Sequence, residues 1–296
     1  MIHSINVQWK IMTHKMEFIF AFLVAVTYAC ISLLYNFNYY KDTDISKIPA
    51  ADTLFCMSSY SKTWSYFEVI FPFLVILPFA ISFINENRNG ITPMLVYRST
   101  HKQYFLSKAV VCFLGGFLII MLPFLLNLVL CHIFFSNNHN VIFGEYGMPN
   151  YFRTLLGTNQ GYRTTFHAKP FLDVYLVSTT LYNLLYILLL SLFSGLVGVF
   201  VLSWSYFIKK HVILLFLPFF ILIRITNAMT VSSFNIASQN HEKLFLNYSI
   251  MDYFSPFSFS GQNWYYMLLL CLMMILFCLI AHVYILRRAS KGILTL

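Results

Sequence analysis

The residues in this chain that could carry chemistry are few and widely spaced. An enzyme working at membrane depth needs facing carboxylates, a histidine pair, or a nucleophile beside its base. The histidines His132, His139, His167, His211, His241 and His282 are scattered, and no His-Glu-x-x-His or paired-glutamate motif occurs. Six cysteines, Cys30, Cys56, Cys112, Cys131, Cys271 and Cys278, show neither metal spacing nor a disulfide framework, and only Cys56 falls clearly in a loop. No Gly-x-x-x-x-Gly-Lys-Ser/Thr phosphate loop is present, so this chain does not itself bind ATP in that way. The expectation is a non-enzyme with no cofactor or metal of its own.

Isolated polar residues inside apolar runs are a second class of candidate. Arg224 is the costliest, since a cation near the centre of a span carries a penalty of about 2.5–3.5 kcal/mol on insertion scales. Two readings stand: it snorkels to the headgroups, or it pairs with Glu68 or Asp173 inside the bundle. Asn127, His132, Asn183, Asn227 and His282 read as contacts between helices. Glu17 and Glu86 fall at span boundaries, where local ion pairs or loop organisation explain them. Asn247-Tyr-Ser249 has glycosylation spacing, but the motif is too short to be distinctive.

The third candidate is a charged, turn-rich segment wedged between two membrane-length runs, Phe83 to Lys108. Thr92 before Pro93 gives an N-cap followed by proline at the first helical position. A short helix then runs to about Arg98, and Thr100-His-Lys-Gln103 forms a capping box that starts the next span. Met94, Leu95 and Tyr97 are apolar for a turn in water, which makes them anchors for a protein groove.

These features sit in a chain that is 59% hydrophobic and only 10% charged, a composition of polytopic membrane proteins. Uncharged runs at Phe18–Leu34, Val69–Ile84, Ala109–Phe135, Val174–Ile208, Val212–Ile223 (resuming past Arg224 to Val231) and Trp264–Leu286 predict six transmembrane helices. Val174–Ile208 exceeds one crossing, so part of it must tilt, protrude or bend. Within it Ser191, Ser194, Gly195 and Gly198 let another helix approach closely. Ile5, Trp9, Met12 and Met16 recur at i, i+4, i+7 and i+11, predicting an amphipathic helix over 1–17 that lies on the membrane surface, or else simply begins the first span.

Charge sets the orientation. With both termini cytoplasmic, the inner segments carry the whole net charge of +9, while the outer segments sum to zero. The excess is therefore a topology signal and not a nucleic-acid footprint. The predicted layout is a six-span domain over 18–286 with a cytosolic loop at 85–108, outer loops at 36–65, 136–172 and 232–263, and a basic cytosolic tail at 287–296. The outer loops, rich in Tyr, Phe, Asn and Ser, read as partly ordered interfacial segments that form a small cap.

The order Phe83, Glu86, Gly90, Leu95, Arg98 and Lys108 resembles the second span and coupling loop of type-2 ABC permeases. The N-terminal amphipathic stretch is similar to that family's elbow helix, and Met251-Asp-Tyr-Phe-Ser-Pro256-Phe-Ser-Phe is similar to its outer segment before the last span. The resemblance implies a multi-pass permease in the plasma membrane of a bacterial cell. Its coupling residues would be Glu86, Gly90, Thr92, Pro93, Met94, Leu95, Tyr97 and Arg98, docking on separate ABC ATPase subunits that hold ATP and Mg. It further implies pairing with a second permease copy or a related permease, and export of an amphipathic cargo: a peptide or bacteriocin, a drug, or a lipid-linked molecule. An intramembrane enzyme, or a structural or sensory subunit that transports nothing, is the competing reading.

Overall fold

The computed structural model describes residues 2–43, 48, 51–57, 63–88, 100–135, 171, 174, 177–208, 213–239, 246–256 and 265–290, with the side chains of 79–88 and of a few helix-end residues left aside. Most of these residues are helical, with no strand among them. In chain order the helices are α1 (Ile2–Thr13), α2 (Met16–Tyr40), α3 (Ala51–Leu54), α4 (Trp64–Arg88), α5 (His101–Phe134), α6 (Thr179–Ser205), α7 (Ile213–Gln239), α8 (Ile250–Phe254) and α9 (Tyr265–Ser290).

Five of them, α2, α5, α6, α7 and α9, are long and apolar enough to cross a membrane. In α4 the apolar stretch Trp64–Pro78 is shorter than that standard. The chain is thus an all-α, multi-pass membrane-type protein. Local sequence explains the starts. Thr100 Oγ1 accepts from the Gln103 N–H at 3.3 Å, as the capping box predicts, and Ser178 Oγ accepts from the Leu181 N–H at 3.3 Å. Prolines at 72, 78, 123 and 218 lie inside long helices, a placement that bundles tolerate because neighbouring elements satisfy the freed carbonyls.

In hydrocarbon, apolar burial does little to drive helices together, so close packing and interhelical hydrogen bonds must hold the bundle. The α5–α6 pair shows both. A Cβ added at Gly116 would stand 2.9 Å from the Ser194 carbonyl oxygen, and one at Gly195 2.8 Å from that of Phe113. Ser194 Oγ donates to the Gly116 carbonyl at 2.8 Å. The small residues of the long fourth run thus serve backbone approach. The excess length of that run is taken up outside α6, before its Ser178 cap and beyond Ser205.

An aromatic seam fills the middle of the bundle. Phe67 lies 5.1 Å from Tyr28 and 4.9 Å edge-on to Phe124, and Phe71 reaches Phe193 and Phe219 at 6.2 Å. It ties α2, α4, α5, α6 and α7 together, each pair adding about 0.5–1.5 kcal/mol beyond area burial.

Candidate functional site

The densest polar network lies at one end of the bundle, where Ala51-Asp-Thr-Leu-Phe-Cys-Met57 enters between α2, α5 and α6 and becomes almost wholly buried. A four-residue helix cannot satisfy its own backbone, and buried main-chain groups need partners. Side chains from the long helices supply them. Asn36 Nδ2 donates to the Leu54 carbonyl at 2.6 Å, and Asn183 Nδ2 to the Asp52 carbonyl at 2.9 Å. The Cys56 N–H donates to Asn127 Oδ1 at 3.0 Å, and the Tyr28 hydroxyl stands 3.3 Å from the Cys56 carbonyl. Irregular backbone is tolerated at such depth only where protein surrounds it.

Asp52 fastens this plug. Its carboxylate accepts from Thr179 Oγ1 at 2.5 Å, from Thr180 Oγ1 at 3.2 Å and from Asn183 Nδ2 at 3.3 Å, with His132 Nε2 at 3.1 Å. A carboxylate that is 1% exposed and so fully engaged acts as a structural rivet between α3, α5 and α6. Burial also pushes the Cys56 thiol well above its ordinary pKa, keeping it protonated and unreactive.

A second short segment completes this end. The Leu246 N–H donates to Ser233 Oγ at 2.8 Å and the Tyr248 N–H to Thr230 Oγ1 at 2.8 Å, pinning the lead-in to α8 onto α7. Asn247 then organises α8: its Nδ2 donates to Asp252 at 3.0 Å, its Oδ1 accepts the Ser249 N–H at 2.8 Å, and its carbonyl accepts from the Tyr253 hydroxyl at 2.7 Å. Burial raises the pKa of the Tyr253 phenol, so it remains a donor. The two plugs touch each other and the wall: Ser255 Oγ donates to the Met57 carbonyl at 2.9 Å, Tyr182 OH to that of Pro256 at 3.2 Å, and Phe254 stacks on Phe193 at 4.6 Å.

At the opposite end, α1 packs against the start of α5. Ile5 and Trp9 are partly buried there, Met12 is buried, and Met16 opens α2 with 76% exposure. Lys108 is buried, its ammonium 3.4 Å from the Tyr104 hydroxyl. His282 on α9 reaches back to α6, with Nε2 3.4 Å from Tyr206 OH and Nδ1 3.5 Å from Ser203 Oγ.

Of the residues singled out in the sequence, Asn127 and Asn183 come together as plug anchors, a sharper role than generic contacts between helices. Arg224 projects from the exposed side of α7 with its guanidinium 5.1 Å over the Phe220 ring, and makes none of the contacts described for that network. Gly90, Thr92, Pro93, Met94, Leu95, Tyr97 and Arg98 lie outside the described residues, and Glu86 falls in the last turn of the α4 backbone. Asp173, the alternative partner for Arg224, also lies outside them. From the sequence Asp52 reads as one more outer-loop charge, and the structure makes it the centre of this network. The available signal was its place in a short apolar run with no charged neighbour. Among the described residues no cluster of His, Cys, Asp and Glu could hold a metal ion.

Neither a family model, nor a curated protein, nor a solved structure matches this chain.

Proposed function

We propose that the chain is the membrane-spanning permease subunit of an ATP-driven exporter of the type-2 ABC class, working with separate ATPase subunits. One observation carries the reading. The segment between Arg88 and His101 joins α4 to α5 at the end of the bundle where α1 packs on α5 and where α9 finishes at Arg287 and Arg288. A permease of this class needs its coupling loop to leave the bundle at such an end, the one that carries the surface helix and the basic residues.

In this reading α4 is the sixth span, both termini are cytoplasmic, and the coupling element comprises Glu86 through Arg98. The plugged end then faces outward. Two short helices fastened by hydrogen bonds close the bundle there, and their release is the motion that ATP-driven closure of the partner subunits would have to produce. The cargo is amphipathic, a peptide, drug or lipid-linked molecule, and a second permease copy or a related chain completes the pathway.

The test is to look for an ABC ATPase gene beside the one for this chain and to co-express the two. The purified pair should hydrolyse ATP, and Met94, Leu95 and Tyr97 changed together to Asp should reduce recovery of the ATPase at least tenfold without altering the thermal unfolding of the membrane subunit. An intact, fully active complex after that change would end the docking assignment, and purification with no ATPase bound would favour a non-transporting subunit.

A further inference from the structure

Between α6 and α9, beside α8, the packing leaves a cavity of about 550 Å³, within the range of ligand pockets. Its position relative to the membrane-crossing helices says what fills it. Leu192, Leu268 and Ile275 line it and are also exposed, so it opens sideways between α6 and α9 rather than into the bundle. From Leu268 to Ile275 it follows α9 for about 10 Å, less than the roughly 15 Å of hydrocarbon in one leaflet. Among the described residues no charged side chain lines it, and the Tyr253 hydroxyl at its edge donates to the Asn247 carbonyl at 2.7 Å. Water has no partners in such a slot, and walls without a neighbour forfeit dispersion contacts.

Directly above, at the start of α9, Tyr265 is exposed and Tyr266 is half-buried, with Tyr248 5.4 Å edge-on to the Tyr266 ring and Tyr253 6.5 Å from it. Tyrosines gathered at a helix end mark headgroup level. The polar part of an occupant therefore rests among the tyrosines while its hydrocarbon runs down the slot. Resting on the multi-pass reading alone and not on transport, we propose that the slot binds one acyl chain of a glycerophospholipid from the leaflet at the plugged end. That lipid wedges α9 against the α6–α8 junction.

The test uses the full chain reconstituted in vesicles of phosphatidylethanolamine and phosphatidylglycerol, doped with a phospholipid carrying a diazirine midway along one chain. Irradiation followed by peptide mapping should concentrate adducts on Leu192–Leu196 and Leu268–Ile275, at least fivefold above the lipid-facing Leu276–Ile280 stretch of the same helix. Cys271→Trp, which fills the slot, should remove the excess. Adducts spread evenly along α9 would reduce the slot to ordinary annular lipid and overturn the proposal. So would efficient crosslinking between two copies through Leu268→Cys, because another chain would then cover the face. The mapping on unaltered protein decides the matter even where the Trp variant fails to fold.

Discussion

Asn127 Oδ1 accepts the main-chain N–H of Cys56 at 3.0 Å, while the nitrogen of the same amide donates to the Ala29 carbonyl at 2.7 Å. One side chain on α5 thus satisfies a backbone donor in the plug and a backbone acceptor on α2. Replacing it by Leu strands the buried Cys56 N–H, where an unmade hydrogen bond costs about 1–3 kcal/mol, and removes the second bond to a carbonyl that lies inside α2. Asn127→Leu should lower the thermal unfolding temperature in detergent clearly, and Asn127→Asp, which keeps the acceptor, should fall between the two. An unchanged unfolding temperature in the Leu variant would show that the anchor contributes nothing.

Asp52 makes a contrasting prediction. Asp52→Ala leaves Thr179, Thr180, Asn183 and His132 facing no carboxylate, so its effect should exceed that of Thr180→Val, which removes one of several donors. The readout is limited proteolysis in the 43–63 region: faster cutting in Asp52→Ala than in Thr180→Val is expected, and equal rates would dissolve the rivet.

Cys56 reports on the same plug without unfolding the protein. It is 0% exposed, and its thiol is held protonated by burial. The thiolate is the reactive form, so a raised pKa means slow alkylation at pH 8, where a free thiol is substantially ionised. In a variant retaining only Cys56, a polar maleimide should label the native state slowly even up to pH 9, and Asn127→Leu or Ser255→Ala should speed it severalfold. Rapid labelling of the unaltered plug would contradict its burial.

Much of the fold was legible because hydrocarbon imposes strong sequence constraints. Runs without charge became α2, α5, α6, α7 and α9, the capping box at Thr100 set the start of α5, and Gly195 and Ser194 became the backbone contact with α5. The plugs were not legible. Residues 51–57 and 246–256 lie between spans and read as interfacial loops, since no local pattern shows that an Asn far along the chain will satisfy a stray carbonyl. Cys56 reads from the sequence as a loop cysteine for the same reason. Burial there is decided by tertiary hydrogen bonding, which single-sequence periodicity does not encode.

The glycine contact is testable by size alone. Gly195→Leu or Gly116→Leu must push α5 and α6 apart, because the obstructing atoms include backbone carbonyls that no rotamer change can move. Folded yield and unfolding temperature should drop sharply for both. Leu181→Ala, at an exposed position of the same helix, should be near neutral. Tolerance of either bulky residue would mean that the two helices pack less closely than described.

Arg224 supplies the last prediction. It stands near the middle of α7 on the exposed side, its guanidinium 5.1 Å over the Phe220 ring, and α7 packs against α4, the helix that carries Glu68. A residue that only snorkels would not couple to Glu68. A residue that pairs with Glu68 inside the bundle should show a coupling of about 0.5–1 kcal/mol with it in a double-mutant cycle of Arg224→Leu and Glu68→Gln. The expected result is that Arg224→Leu destabilises the protein modestly and that adding Glu68→Gln restores part of the loss, because removing the cation leaves the Glu68 carboxylate without a counter-ion. Strict additivity of the two changes would return Arg224 to the headgroups and leave the pair without a role.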